Sequence, residues 1–268
     1  MESLGEVFAV FDARTQDSGN VSFGVQQGDQ RWFAKSAGDP KIDVVGSTFV
    51  ERVERLRNAI VVSESAQHAT RPRLQQLIEC ADGPLLISEW VQGELIRVPS
   101  SERANPAGPF ARFRALPPKE IELALDALFD LHLQLAAAGW IAEDFYDGCL
   151  IYDFAQMRLH VIDLDGYHHG PITNTTGRRF GSSRFMAPEE FELGALINER
   201  TTVFNLGRMI SELYPGASDA IRETASTACE PLPKNRFASV GAFVRAWRTA
   251  IGSNDPQGNN GLQGNRAL

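Results

Sequence analysis

The chain has 268 residues, enough for one large domain or two parts around a cleft, and enough to bury most of its apolar surface without disulfides or structural metals. Hydrophobic residues make up 43% and charged residues 22%, ordinary globular values, while a net charge of -8 argues against nucleic acid and anionic membrane as partners. The three cysteines, Cys80, Cys149 and Cys229, are too scattered for a zinc pattern or a disulfide framework, so a reducing, cytoplasmic setting is expected.

The N-terminal stretch MESLGEVFAVFDAR shows no basic region followed by a long apolar run, so no secretory leader is expected, and no apolar run is long enough to span a bilayer. EVFAVFDAR, NVSFGVQQ and QRWFAKSA read as strands, the last two joined by a Gly28-Asp29 turn. Residues 47–67 read as a helix with Ser47 as its N-cap, because Phe49, Val53, Leu56 and Ile60 recur at helical spacing. PRLQQLIEC and GPLLISEWV follow as two further strands around Asp82-Gly83. Five strands and one helix make a small β-sheet lobe over residues 1–92.

Residues 97–117, rich in Pro, Ser, Ala and Arg, read as a connector. From 118 to 138 a strong helix is predicted, with Ile121, Leu125, Leu128, Leu131, His132 and Leu135 on one face. Two short strands come next, CLIYDF and RLHVIDLD, and from Thr201 the pattern is mainly helical. His168 and His169 read as turn residues without further ligands at useful spacing. Residues 93–251 thus form a mainly helical second lobe, and 252–268, rich in Gly, Asn and Gln, are expected to be a disordered tail. Strands first and helices afterwards give an α+β class.

Chemistry concentrates in AEDFYDGCLIYDFAQMRLHVIDLDG. An antiparallel hairpin returns the chain to its starting point, so Asp144 before the first strand should lie near Asp163 at the end of the second. Two carboxylates there could hold a hard cation and orient a hydroxyl; taken alone, they are equally well read as two solvated turn acids.

GSSRFMAPEE at 181–190 resembles the end of a protein kinase activation loop, with Ala187-Pro188-Glu189 as the closing triplet and Ser182 and Phe185 in place of Thr and Tyr. WFAK is similar to the strand that carries the phosphate-binding lysine, LISEWV to the hinge, and Asp163-Leu164-Asp165 to Asp-Phe-Gly. On these segments the chain resembles a divergent, bacterial-type serine/threonine kinase of the protein kinase-like superfamily, over about residues 10–250.

That resemblance implies a bilobal fold, ATP with Mg²⁺ or Mn²⁺ as cofactors, and a protein substrate that the sequence does not name. It implies Lys35 and Asp144 as catalytic residues and Asp163 as the metal-binding carboxylate. Ser18, Gly19 and Asn20 would offer backbone N–H groups to phosphate, Glu54 on the helix would pair with Lys35, and Glu89 to Val91 would meet the adenine, with Ser88 as gatekeeper. Glu189 and Arg236 would form a structural pair.

The pattern also departs from the family. The full Gly-x-Gly-x-x-Gly is missing, and His-Arg-Asp becomes Ala142-Glu143-Asp144. Cys149 stands where a second metal-binding Asn is expected, although a neutral thiol is a poor Mg²⁺ ligand, and Asp147 is the nearest other carboxylate. Three readings remain open: a protein kinase, a pseudokinase that holds nucleotide without turnover, and a small-molecule kinase of the aminoglycoside or choline kinase type.

Overall fold

The computed structural model describes residues 4–15, 18–42, 44 and 47–253. The segment 252–268, expected from the sequence to be disordered, lies outside the described residues except for 252 and 253.

Chain order begins with three strands, β1 (Glu6–Phe11), β2 (Val21–Gln27) and β3 (Gln30–Ser36). Helix α1 (Phe49–Ser65) follows, then β4 (Leu74–Cys80) and β5 (Gly83–Glu89). These five strands form one antiparallel sheet in the order β1-β2-β3-β5-β4. Gly28 and Gly83 take the left-handed backbone, φ 61° and 91°, that tight strand connections demand, as their sequence positions predicted.

Residues opposite one another share a face. Lys35 pairs with Ser22 and Leu86, and Leu86 with Leu77. On this face Leu86, Leu74 and Leu77 pack with Leu56, Phe49 and Val53 of α1. The opposite face carries Val25, Ala34 and Ile87. β5 is therefore buried on both sides, which explains its continuous apolar run.

α1 begins one residue later than its sequence suggested. Thr48, not Ser47, is the N-cap: its hydroxyl accepts from the Glu51 N–H and the Glu51 carboxylate accepts from the Thr48 N–H. Arg52 of this helix is buried and donates to the carbonyls of Ala37, Ser47, Asp39 and Ile42, tying the β3–α1 connection to the helix.

After β6 (Glu94–Leu95), the segment read as a connector contains helix α2 (Pro109–Arg114), which buries Phe110 and Phe113. α3 (Pro118–Ala137) is the central helix and buries Ile121, Leu125, Leu128, Leu131 and Leu135. Then come β7 (Trp140–Ile141), β8 (Leu150–Asp153), β9 (Arg158–Val161) and β10 (His168–His169). The histidine pair is not a turn: His168 and His169 pair with Ile141 and Trp140. β11 (Ile172–Thr173) and β12 (Leu196–Ile197) pair with each other.

Helices α4 (Glu199–Leu213), α5 (Asp219–Ala228) and α6 (Val240–Gly252) are the last elements of the described residues. Phe129 of α3 meets Phe243 and Trp247 of α6 edge-on, at ring separations of 4.9 and 5.1 Å. α4 and α5 pack closely because Gly207 has no side chain: a Cβ there would lie 2.6 Å from the Ala228 Cβ. The protein is thus a mixed α and β chain, with an N-terminal antiparallel sheet and a largely helical C-terminal part. No helix among the described residues is long and apolar enough to cross a membrane.

Candidate active site

Lys35, near the end of β3, reaches across to the C-terminal part. Its Nζ lies 2.6 Å from Asp163 Oδ1 and 2.7 Å from Asp165 Oδ2. Side-chain exposure separates the two acids: 51% for Asp163 against 14% for Asp165, so Asp163 is the carboxylate open to solvent. Burial alone would pull the Lys35 ammonium down, but the charges and hydrogen bonds of both acids outweigh it and raise its pKa. The Lys35 charge holds Asp163 below the ordinary carboxylate range. Burial, against the pull of Lys35, holds Asp165 above it.

Asp144 follows β7. The N–H of Ala142 donates to Thr202 Oγ1 of α4 at 3.0 Å, and the Cys149 thiol donates to the Asp144 carbonyl at 3.4 Å. Phe145 is buried against His132, with the rings 4.5 Å apart. The hairpin return expected from the sequence is present, since the Ile162 N–H donates to Cys149 O at 2.9 Å. A Cβ on Gly166, beside Asp165, would stand 3.7 Å from the Asp144 Cβ. Burial raises the Asp144 pKa to about 7, helped by the charges of Asp163, Asp165 and Glu143. Asp144 and Asp163 both adopt left-handed backbone, φ 57° and 60°, which few non-glycine residues do.

Two residues that sequence reasoning missed support this loop. Asn58 of α1 donates to the carbonyls of Asp165 at 2.8 Å and Tyr167 at 2.6 Å. Arg55, one turn earlier, stacks over Phe180 at 4.5 Å, and its charge favours ionisation of Asp144, Asp163 and Asp165. His132 supplies a third anchor. Its Nδ1 can only donate to the Leu128 carbonyl, and burial lowers its pKa to about 4, so Nε2 is unprotonated and accepts from the Tyr167 hydroxyl at 2.7 Å.

Several sequence expectations need correcting. Glu54 is exposed on α1 and does not pair with Lys35, whose carboxylate partners among the described residues are Asp163 and Asp165. α1 presents Asn58 to the loop instead, at the level of its backbone. Asp147 does not serve as a spare carboxylate, because its Oδ2 lies 2.5 Å from Arg184 Nη2. Cys149 is buried, and burial raises its pKa well above the thiol range, so it stays protonated and unsuited to a metal.

Glu89 is committed to Arg73 through side chain and backbone, and the Trp90 N–H donates to Arg31 O, which leaves Val91 of the expected hinge donors. Ser18, Gly19 and Asn20 stand just before β2, at the end of the sheet where Val21 pairs with Ser36. Gly19 packs there against Val44 and Arg52, and the Asn20 N–H is used by Ser18 Oγ at 3.3 Å. Glu189 and Arg236 form the expected buried, two-pronged pair at 2.6 and 2.8 Å, joined by Thr201 Oγ1.

Chemically, the arrangement is one ammonium between two carboxylates, with a third acid beside them. No group of three or more His, Cys, Asp or Glu among the described residues is arranged to hold a metal ion by itself. The donor set nevertheless suits a hard cation. Lys35 already occupies the bridging position between Asp163 and Asp165, and Mg²⁺ commonly binds through one or two carboxylates plus ligand oxygens.

Neither a protein-family model nor a curated protein matches this chain. The functional reading therefore rests on the residues themselves.

Proposed function

We propose that the chain is a divergent member of the protein kinase-like superfamily with a bilobal fold, transferring a phosphoryl group from ATP to a protein Ser or Thr hydroxyl. The Lys35 bridge to Asp163 and Asp165 carries this reading. It joins the sheet to the helical part through Lys35 and Asp163, the residues that the sequence resemblance assigns to phosphate and metal.

Bound Mg²⁺ or Mn²⁺ with ATP supplies the transferable phosphoryl group and neutralises its developing charge. Asp163, the open carboxylate, would hold the cation, with Asp165 as a further oxygen donor, and Lys35 would direct its charge to phosphate oxygens. Asp144, with its raised pKa, accepts or orients the proton of the attacking hydroxyl. The gain comes mainly from positioning and fixed charge.

Two observations favour a second reading, a pseudokinase. Lys35 is neutralised within the protein, and the position of the second metal-binding residue holds a buried, protonated thiol. Incubation of the purified chain with labelled ATP and Mg²⁺ or Mn²⁺ separates the two. The first reading expects labelling of the chain or of a generic protein, lost in Asp163→Asn and Lys35→Met. Thermal stabilisation by ATP without labelling supports the second reading, and neither response removes both.

A further inference from the structure

A cavity of about 530 Å³ opens at the start of β3, away from the Lys35 end of that strand. It lies between the sheet and the β8–β9 hairpin, and Arg31, Arg71 and Arg158 line it together with Trp90 and His160. This volume is within the range of small-molecule sites.

The charges around it do not balance. Glu89 is taken by Arg73 at 2.7 Å, and Asp153 Oδ1 accepts from the N–H groups of Ala155 and Gln156 at 2.9 and 3.1 Å. Arg31, Arg71 and Arg158 have no carboxylate partner among the described residues. Each uses only part of its guanidinium. Arg31 Nε donates to Gln26, Arg71 Nη1 to the carbonyls of Val62 and Ala66, and Arg158 Nη2 to Ala69 O. Burial lowers the Arg71 pKa, as expected for a cation withdrawn from water without a counter-ion. His160, only 9% exposed, has an Nδ1 with no hydrogen-bond partner among the described residues. Buried polar atoms are rarely left so.

The incompletely used guanidiniums of Arg31 and Arg158 and the unpaired imidazole nitrogen of His160 line a space whose two acids are engaged, Glu89 by Arg73 and Asp153 by backbone N–H groups. Guanidinium groups match planar and tetrahedral oxyanions in two-pronged fashion. We propose that this cavity binds a small organic molecule through a phosphate or carboxylate group, held between Arg31 on one side and Arg158 and His160 of the β8–β9 hairpin on the other. Such a ligand bridges the sheet and the helical part at a point remote from Lys35. The cavity borders the expected hinge residues Glu89 to Val91, but the groups that would hold the anion, Arg31, Arg158 and His160, have no part in the phosphoryl-transfer reading.

Calorimetric titration of the full chain at constant ionic strength, with inorganic phosphate in one arm and citrate in the other, tests it and tells the two anion sources apart. Saturable binding in either arm is expected. It should weaken by about tenfold or more in Arg31→Ala/Arg158→Ala, which loses two charge-assisted partners, and persist in Lys35→Met. Hydrogen exchange on the unsubstituted chain provides a reading independent of any variant: the bound anion should slow exchange in residues 71–73 and 153–160. Absence of saturable binding in both arms, binding lost in Lys35→Met but kept in the double variant, or unchanged exchange in both segments overturns the proposal.

Discussion

Arg179 Nη2 lies 2.5 Å from Glu143 Oε2, and this ion pair fastens the segment before GSSRFMAPEE to the residue that precedes Asp144. Both side chains are largely buried, with 16% and 10% exposure. A buried pair loses more from the removal of one partner than it gains from its presence, because the survivor keeps an uncompensated charge. Arg179→Ala and Glu143→Ala should each destabilise the chain by about 3 kcal/mol. The double variant should cost less than their sum. Urea denaturation of the four proteins checks this, and additive losses would show that the pair is not coupled. Since a carboxylate already anchors Arg179, the segment needs no phosphate to hold it there.

The raised pKa of Asp144 predicts a pH profile. A general base works in its ionised form, so kcat/KM for phosphoryl transfer should fall about tenfold per pH unit below about 7 and level off above it. Asp165→Asn removes a negative neighbour, makes ionisation easier and should move the midpoint to lower pH. A profile that stays flat from pH 5.5 to 8.5 would rule Asp144 out as the base.

Arg236 serves Glu189 and also the carbonyls of Glu230, Arg200 and Pro231. Arg236→Met strands all four acceptors, and loss of the buried charge partner alone is worth about 3–5 kcal/mol. A large fall in Tm is expected, partly recovered when Glu189→Gln is added. A change of less than a degree in the single variant would refute the structural role of the pair.

Gly207→Ala tests helix propensity against packing. Alanine favours an isolated helix over glycine by about 1 kcal/mol. Here its methyl would meet Ala228 Cβ at 2.6 Å and Cys229 Sγ at 2.9 Å. Overpacking of this kind costs about 1–3 kcal/mol, so the substitution should destabilise. Ala228→Gly in the same chain should restore much of the loss, and thermal melts of the three proteins decide.

The larger elements were legible because their signals are local. The Gly28 and Gly83 turns fixed the hairpins, and the apolar spacing of α3 marked its buried face. From the sequence the cap of α1 is expected one residue early, at Ser47, although Thr48 and Glu51 stand at capping-box spacing. α2 was hidden because six residues give too few turns to show a period within an Arg- and Pro-rich segment. β7 and β10, two residues each, carry no alternation at all.

The candidate site divides in the same way. The proximity of Asp144 to Asp163 followed from a short hairpin. The partners of Lys35 did not, because Asp165 stands 130 residues further on and competes with Glu54, which a family pattern favours. Asn58 contacts only the backbone of a loop 107 and 109 residues away, so no side-chain code announces it.

The left-handed turn at Asp144 has a thermodynamic consequence. A residue with a Cβ gives up roughly 1–2 kcal/mol to stand at such a φ, where glycine gives up almost none. This carboxylate is also buried, and held among other acids, so its folded form prefers to keep a proton. Its contribution therefore turns against the fold as pH climbs from about 4 through about 7. Asp144→Gly should melt at a higher temperature than the parent, by a wider margin at pH 8 than at pH 4. A rise in Tm together with loss of phosphoryl transfer would identify Asp144 as a residue kept for reactivity at the expense of cohesion.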